Sequence, residues 1–461
     1  MKQDNVVNLT FSNQKGKEEN KGIIKNGSQK KNESFSVNKS QIITINGNKI
    51  IEENTKVILK NDNNNNNQIN NFPDFKYEID LSKILAVGLV NLGNTCFMNS
   101  CLQCFYHCSE FTIELLKNFK YYNDKKTEIL NAYLKTIKML YDNGKINGNN
   151  KKNIVLIDKI DNKYTNTSLS TKRYYYENIT EPVSADLFYK CIKNNYHITY
   201  GEGSDPKIIA ELILSEMNKE LNNNFIYRID KNIKKTDEIA LFKHIYNAYF
   251  KSENLTVVSS NFYWIKEKVY ICDECGNSTF SFQPNSILYF YPKTILKDLN
   301  LLTGYSKEDL SLEICLDYFH KSEELDSKVN IFTCKFCNKR TKAKSILNYL
   351  ATLPKYLVFC LYKDKDEKNA IDINFSYGTE IYLDKIFKDF KVESNVSTKY
   401  KFQSGCYSRY NDIHVVALCM HFDGCLYEFN DKYYRKYESP DAFKKVYDET
   451  PYLLIYRRSD I

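Results

Sequence analysis

The sequence predicts an α+β fold, because some stretches have helical spacing and others have the composition of strands. Apolar residues recur with helical spacing in two stretches, residues 97–105 and 208–221. Aromatic and β-branched residues, which favour strands, concentrate at residues 261–265 and 269–271. Two further strands are expected to join at Asp423 and Gly424, a pair suited to a tight turn.

The 461 residues allow one large domain with an extension. Residues 1–75 consist mostly of Asn, Lys, Ser and Gln, so we expect a disordered N-terminal extension. Within it, residues 41–49 and 56–60 alternate apolar and polar side chains, which leaves a transient hairpin as an alternative. Residues 142–180 are also polar, and we expect an irregular surface insertion there.

The charges and cysteines exclude some classes of function. Lys and Arg exceed Asp and Glu by 8, but they form no dense basic block, so no nucleic-acid partner is expected. The polar N-terminus does not resemble a signal peptide, and no apolar run approaches the length of a membrane span. We therefore expect a cytoplasmic or nuclear protein whose 14 cysteines are mainly thiols, metal ligands or catalysts.

Cys96 is the candidate nucleophile. The apolar pattern of residues 97–105 begins just after it, and Asn94 and Thr95 stand where a helix N-cap is expected. Backbone N–H groups and the helix dipole at a first turn favour a thiolate. Asn91, five residues earlier, is able to turn its amide towards the sulfur and stabilise an oxyanion. The alternative for Cys96 is a buried structural thiol.

Two Cys-x-x-Cys pairs predict a metal site. Their spacing lets a tight turn direct both sulfurs at one ion, and four thiolates complete the tetrahedral shell of zinc. Because this shell has no open position, we expect one structural zinc and no catalytic cofactor. Disulfides and unliganded thiols are the alternatives. The four candidate ligands are Cys272, Cys275, Cys334 and Cys337.

A thiol nucleophile needs a histidine base, and the chain has six histidines. His414 and His421 are the two candidates. If two strands join at Asp423 and Gly424, His414 comes to lie beside Asn430 on the neighbouring strand. An Asn side chain orients an imidazole by accepting its N–H.

Residues 88–103 closely resemble the cysteine box of the ubiquitin-specific proteases, G-L-x-N-L-G-N-T-C-(Y/F)-M-N-S-x-L-Q. The resemblance covers about residues 80–461 and implies a papain-like catalytic domain. Its helical thumb would span about residues 85–225, its zinc-tipped fingers about 255–345 and its palm about 346–461.

The resemblance also implies an activity, which is hydrolysis of the peptide or isopeptide bond after the C-terminal Gly of ubiquitin. Cys96 would be the nucleophile, Asn91 the oxyanion donor and His414 the base. Asn430 would be the third member of the triad, with Asp431 as the fallback. Ubiquitin or ubiquitinated proteins would be the partners, and the need for an activating protein is left open.

Residues 201–221 resemble the family's second box, in which an Asp contacts the ubiquitin tail. Asp205 matches that Asp, whereas Ile208 replaces an acid that would meet an arginine of the tail. Near the base, Ile413 replaces the family's Gly. These departures leave two alternatives, a catalytically impaired ubiquitin-binding relative and a zinc-stabilised interaction scaffold.

Overall fold

The computed structural model describes twelve stretches of the chain in full, and the backbone of five further strands. The stretches are residues 79–124, 127–145, 180–196, 204–222, 233–234, 236–251, 255–302, 307–322, 331–362, 372–409, 414–437 and 451–461. The further strands lie within residues 43–59, at 153–157 and at 174–178. Residues 1–74 and 75–461 form two separate units.

The first unit contains three short strands, β1 (Ile43–Ile45), β2 (Asn48–Glu53) and β3 (Lys56–Leu59). They pair antiparallel in the order β1-β2-β3. The expectation that this whole extension is disordered is therefore wrong for these three strands. Their alternation of apolar and polar residues, noted above as compatible with a hairpin, is the local signal for strands.

Eleven α-helices lie among the described residues of the second unit. They are α1 (Cys96–Tyr106), α2 (Ser109–Lys117), α3 (Phe119–Asp124), α4 (Glu128–Gly144), α5 (Asp186–Tyr196), α6 (Pro206–Glu211), α7 (Met217–Leu221), α8 (Glu238–Phe250), α9 (Val257–Phe262), α10 (Pro292–Asp298) and α11 (Leu312–His320). A 3₁₀ turn precedes them at Leu81–Lys83. No helix of these described stretches is both long and apolar enough to span a membrane.

Seventeen described strands complete the second unit. They are β4 (Asn153–Ile157), β5 (Tyr174–Asn178), β6 (Trp264–Cys272), β7 (Ser278–Asn285), β8 (Ile287–Phe290), β9 (Lys307–Ser311), β10 (Lys321–Ser322), β11 (Ile331–Thr333), β12 (Arg340–Leu350), β13 (Tyr356–Leu361), β14 (Asp372–Ser376), β15 (Glu380–Tyr382), β16 (Lys399–Arg409), β17 (His414–Met420), β18 (Leu426–Asn430), β19 (Tyr433–Lys436) and β20 (Pro451–Arg458).

One large sheet carries the candidate base. Its order is β4-β5-β19-β18-β17-β16-β20-β13-β8, with β15 paired to β16. β4 and β5 extend this sheet through β19, so the irregular insertion expected at residues 142–180 is wrong for these two strands. A second sheet, β10-β12-β6-β7 with β11 on β12, forms long arms, and β9 pairs with β14 separately.

Helix α1, which begins at Cys96, packs against the large sheet. The sequence pattern predicts one apolar face, but every residue of α1 is buried. The polar side chains therefore need partners inside the protein. Ser100 Oγ donates to Val415 O on β17 at 2.9 Å, and Gln103 Nε2 donates to Val87 O at 2.8 Å.

The second predicted helix is present but is not regular. Asp205 caps α6 by accepting from Lys207 N at 2.9 Å, and Pro206 takes the first turn, both as expected. A π-helical turn, Leu212–Glu216, then joins α6 to α7. Such turns widen a helix locally, which apolar spacing alone does not reveal.

A charged cluster ties α2 to the palm strands. Arg457 on β20 binds both carboxylate oxygens of Glu110, with Nε at 3.3 Å from Oε2, and the Tyr356 hydroxyl on β13 donates to Glu110 as well. Burial alone would raise the pKa of Glu110, but these hydrogen bonds and the charge of Arg457 lower it.

We expect Glu110→Gln to lower the free energy of unfolding by about 1–2 kcal/mol, because it weakens charge-assisted hydrogen bonds. Since the folded pKa is lowered, the stabilisation is full above the ordinary pKa of 4.5 and is lost as the pH falls through the folded value. Urea unfolding from pH 3.5 to 7 checks both effects. The control is Asp142→Asn, whose exposed ion pairs should contribute less than about 0.5 kcal/mol. Equal losses in both variants would contradict this account.

Candidate active site

A sharp turn delivers Cys96 to the start of α1. Gly93 has φ +101° and Asn94 has φ +53°, both in the left-handed region, so the chain reverses just before the helix. Thr95 occupies the N-cap position but its side chain does not cap α1. Its hydroxyl instead accepts from Leu92 N at 2.9 Å and so stabilises the turn. The expectation that a side chain at position 94 or 95 caps the helix is therefore wrong for Thr95.

The same turn fixes Asn91. Its Oδ1 accepts from the backbone N–H groups of Gly93 at 3.0 Å and Thr95 at 3.2 Å. Its Nδ2 donates to Asp431 Oδ2 at 2.8 Å. Because oxygen meets two donors and nitrogen meets a carboxylate, the orientation of this amide is determined by its partners. Asn91 thus has one Nδ2–H near the start of α1 besides the one that Asp431 accepts.

The predicted base and its orienting residue meet on adjacent strands. β17 and β18 pair antiparallel around the turn at Asp423 and Gly424, as expected, and Gly424 has φ +78°. His414 Nε2 lies 2.7 Å from Asn430 Oδ1. Since an amide oxygen only accepts, Nε2 carries the hydrogen.

His414 also forms a hydrogen bond with Cys96. Burial alone would lower the pKa of His414, but the hydrogen bonds to Cys96 and Asn430, and the charges of Cys96 and Asp431, raise it to about 9. The imidazole is therefore cationic at neutral pH, next to Cys96. The departure at Ile413 lies outside the described residues.

Asp431 connects the site to α1. One carboxylate oxygen accepts from Asn91, and the other accepts from Asn99 Nδ2 at 2.8 Å. Its Oδ2 lies 3.9 Å from His414 Nε2, beyond hydrogen-bond distance, so Asn430 is the direct partner of the imidazole. The sequence analysis does not single out Asn99. Its place three residues after Cys96, on the same face of α1, is the signal that would have found it.

A glycine at position 88 permits the close approach of Asp431 and Lys432 to residues 88–89. Leu89 N donates to Asp431 O at 2.8 Å, and Asp431 has φ +51°. A Cβ on Gly88 would lie 2.4 Å from the backbone carbonyl carbon and oxygen of Lys432. The requirement for glycine here is steric, and the sequence analysis does not identify it.

Asp205, the predicted substrate contact, is engaged within the protein. One of its oxygens caps α6, and the other pairs with the Lys207 ammonium. Lys207 is buried, lies 3.3 Å from Leu361 O, and has its ammonium 4.5 Å from the ring centre of Tyr362. This ion pair was not foreseen, and together with the helix cap it engages both carboxylate oxygens of Asp205.

The four predicted metal ligands come together at the tips of the arms. Their Sγ atoms all lie within 4.8 Å of one another. Each knuckle turns back after its second cysteine through a left-handed residue, Gly276 (φ +70°) and Asn338 (φ +53°). Cys272 lies 3.9 Å from Cys337, and Cys275 lies 3.7 Å from Cys334.

The family profile described as ubiquitin carboxyl-terminal hydrolase matches residues 87–456, which is most of the chain. The chain belongs to the ubiquitin carboxyl-terminal hydrolase family. The resemblance noted from the cysteine box is thereby confirmed.

Two curated relatives carry the family name. Usp2 of Drosophila melanogaster is 25% identical over 391 residues, which are 81% of this chain and 35% of that protein. Probable ubiquitin carboxyl-terminal hydrolase 4 of Schizosaccharomyces pombe is 23% identical over 287 residues, 60% of this chain and 42% of that protein. The chain thus spans less than half the length of either relative.

Solved structures of this family show the same fold. The SAGA DUB module of Ubp8, Sgf11, Sus1 and Sgf73 bound to monoubiquitin matches with a TM-score of 0.54 and 18% identity, over 83% of this chain and 70% of that chain. The module bound to ubiquitin aldehyde gives a TM-score of 0.52 and 20% identity, over 83% and 71%. The predicted α+β protease fold is confirmed.

We expect Gly88→Ala to destabilise the protein by about 2–3 kcal/mol, because the added Cβ forces the Lys432 backbone to move. Thermal unfolding and hydrogen exchange at the Leu89 N–H, which binds Asp431 O, measure the effect. Gly424→Ala is the control, since its Cβ meets open space and only the left-handed backbone costs about 1 kcal/mol. A Gly88→Ala protein as stable as the control would refute the steric argument.

Proposed function

We propose that this protein is a thiol-dependent deubiquitinase that hydrolyses the peptide or isopeptide bond at the C-terminal Gly of ubiquitin. The observation that carries the proposal is the arrangement of His414, which bonds both the thiol at the start of α1 and the amide of Asn430. The two solved structures bound to ubiquitin forms support ubiquitin as the ligand.

In the proposed reaction, the Cys96 thiolate attacks the carbonyl carbon of the ubiquitin C-terminal Gly. The carbonyl oxygen becomes an oxyanion, which is stabilised by Asn91 Nδ2 and the Cys96 backbone N–H. His414 gives its proton to the leaving amine, and the C–N bond breaks to leave a thioester on Cys96. His414 then takes a proton from water, and the hydroxide attacks the thioester carbon. The C–S bond breaks to release the Cys96 thiolate and the ubiquitin carboxylic acid, which loses its proton to solvent.

Asn430 and Asp431 have different parts in this proposal. Asn430 holds the imidazole by accepting its Nε2–H, which leaves Nδ1 for the sulfur. Asp431 holds the amide of Asn91, so it supports the oxyanion donor and not the imidazole. A carboxylate suits this support of Asn91 better than an amide would, because a charged acceptor holds an N–H donor more firmly than a neutral acceptor does.

Labelling with a ubiquitin carrying a C-terminal electrophile tests the proposed function. We expect His414→Ala to slow labelling of Cys96 by at least about 100-fold, since the imidazolium no longer stabilises the thiolate. The wild-type rate should fall as the pH rises through about 9, where His414 loses its proton. In Asn430→Asp this limb should move to higher pH, because a carboxylate stabilises the imidazolium further.

His320→Ala is the matched control, because His320 binds Asn348 O at 3.0 Å and has no contact with the site. Its labelling rate and pH profile should match those of the wild type. If folded wild-type protein binds ubiquitin but does not label, the hydrolase proposal is wrong and the catalytically impaired alternative holds. If it neither binds nor labels, the scaffold alternative holds.

We also propose one structural zinc bound by Cys272, Cys275, Cys334 and Cys337. Four sulfurs placed about 2.3 Å from one ion lie about 3.8 Å apart, close to the 3.7 and 3.9 Å separations between the knuckles. A zinc with four thiolates would hold the tips of the two arms together and take no part in the reaction.

We expect wild-type protein to contain one zinc per chain and Cys337→Ser to contain less, with a lower melting temperature because the arms lose their link. Elemental analysis and thermal unfolding with and without a chelator measure this. Cys425→Ser is the control, since Cys425 lies outside the cluster and is half-buried. A wild-type protein prepared with ample zinc that holds none would refute the site and leave the Cys96 proposal standing.

A further inference from the structure

Two buried imidazoles join the end of α1 to the strand that carries the base. His107 follows directly after α1 and is 1% exposed, and His421 follows directly after β17 and is 4% exposed. His107 Nε2 lies 2.9 Å from His421 Nδ1. Neither residue has a part in the proposed reaction.

Backbone carbonyls determine where the outer hydrogens of this histidine pair lie. His107 Nδ1 is 2.8 Å from Gln103 O, and His421 Nε2 is 2.9 Å from Ile84 O. A carbonyl oxygen only accepts hydrogen bonds, so both outer nitrogens carry a hydrogen. In a neutral imidazole the other nitrogen is then bare. Two neutral rings would therefore present two lone pairs to each other across 2.9 Å.

The positions of the atoms do not by themselves give the number of hydrogens on the ring nitrogens of this pair. The three contacts need three hydrogens, whereas two neutral imidazoles supply two. Either the N···N contact is a repulsion between buried acceptors, which costs about 1–3 kcal/mol, or it contains a third proton. A third proton satisfies all four ring nitrogens of His107 and His421 and gives the pair one positive charge.

The charged groups around the pair have opposite effects on the pKa of the imidazoles, and these effects cancel only in part. Asp423 raises the pKa of both imidazoles. Lys436 lowers that of His421, but its ammonium is bound to Asp423 at 2.8 Å. The Tyr427 hydroxyl also donates to Asp423, at 3.0 Å. On the α4 side, Lys145 and Asp142 pair with each other at 3.0 Å, so their charges offset one another.

Aromatic rings enclose the pair and suit a delocalised cation. Phe422 stacks on His107 with ring centres 5.1 Å apart and planes at 19°, and Phe429 lies 4.9 Å away. Tyr106 presents an edge to His107 at 5.3 Å, and Tyr427 lies 4.8 Å from His421. Aromatic faces stabilise a desolvated cation.

Burial lowers the pKa of both imidazoles, to about 3 for His107, for which the charge of His421 is the next cause. These effects exclude two full charges in this site. Burial disfavours a single positive charge less when that charge is spread over two hydrogen-bonded rings. The third proton carries this charge. Held between the two inner nitrogens, it removes the lone-pair contact, so the geometry of the pair opposes the lowering of the pKa by burial.

We propose that His107 and His421 share one proton at neutral pH and form a cationic bridge between the nucleophile helix and the base-bearing strand. They are positioning residues, since neither touches the reacting atoms. Gln403 provides a neutral tie beside them, because its Nε2 donates to His107 O at 2.8 Å and to Met420 O at 3.0 Å. Loss of the shared proton therefore loosens this end of α1 without releasing it.

Nuclear magnetic resonance of the full chain with ¹⁵N-labelled histidine tests the proton count directly, and only six histidines contribute signals. At neutral pH we expect three protonated nitrogens in the pair, and a coupling between the two rings through the N–H···N bond. This coupling requires a proton between the nitrogens. It is to be measured on the wild type, so the test does not depend on whether a variant folds. Two neutral rings without that coupling would overturn the proposal.

The dependence of stability on pH gives a second readout. A folded pKa above the unfolded value contributes stability that is full below about pH 6.5 and is lost as the pH rises through the folded pKa. We expect the melting temperature of the wild type to fall by several degrees more than that of His421→Gln between pH 6.5 and 9. His320→Gln, which changes a histidine bound to a carbonyl elsewhere, should follow the wild type. A wild type and His421→Gln with the same pH dependence would count against the bridge.

Discussion

The complete burial of α1 is the constraint on which the candidate site depends. A helix with no solvent-facing side must find partners for its polar side chains inside the protein, since each one left unsatisfied costs about 1–3 kcal/mol. Asn99 Nδ2 and Ser100 Oγ donate to Asp431 and Val415, which lie at the open end of the base-bearing hairpin. These bonds form in only one rotation and one translation of the helix. The placement of Cys96 against His414 follows from them, and so it depends on residues outside the triad.

The hairpin is held from its other side as well. Leu89 and Gly88 lie against the backbone of Asp431 and Lys432 so closely that no side chain fits between them. Asp431 therefore has its position fixed by backbone contacts, and its carboxylate is available to hold Asn91 and Asn99. Asn430, which holds His414, directly precedes Asp431, which holds Asn91. One backbone contact therefore positions both side chains.

Much of the fold was predictable where the signal is local. The spacing of the paired cysteines, the apolar period before and after Asp205, and the Asp423 and Gly424 turn all concern residues within one turn or one element. Each corresponds to an observed knuckle, cap or hairpin. The predictions are wrong where a polar composition was given more weight than the alternation of apolar and polar residues. Strands β1 to β5 lie in segments whose polar composition predicts disorder or irregular structure. For β5 the decisive pairing is with β19, some 250 residues away in sequence.

The sequence by itself determined which groups are able to do chemistry: a cysteine placed after a tight turn, an amide five residues before it, and four thiols with the spacing of a metal site. Only the tertiary structure decided how they are used. It bound the carboxylate of Asp431 to Asn91 and brought His107 against His421. The physical reason is that local spacing fixes the direction of a side chain within one element. Contacts between residues about 300 positions apart depend instead on strand register and helix packing, which are properties of the whole buried core.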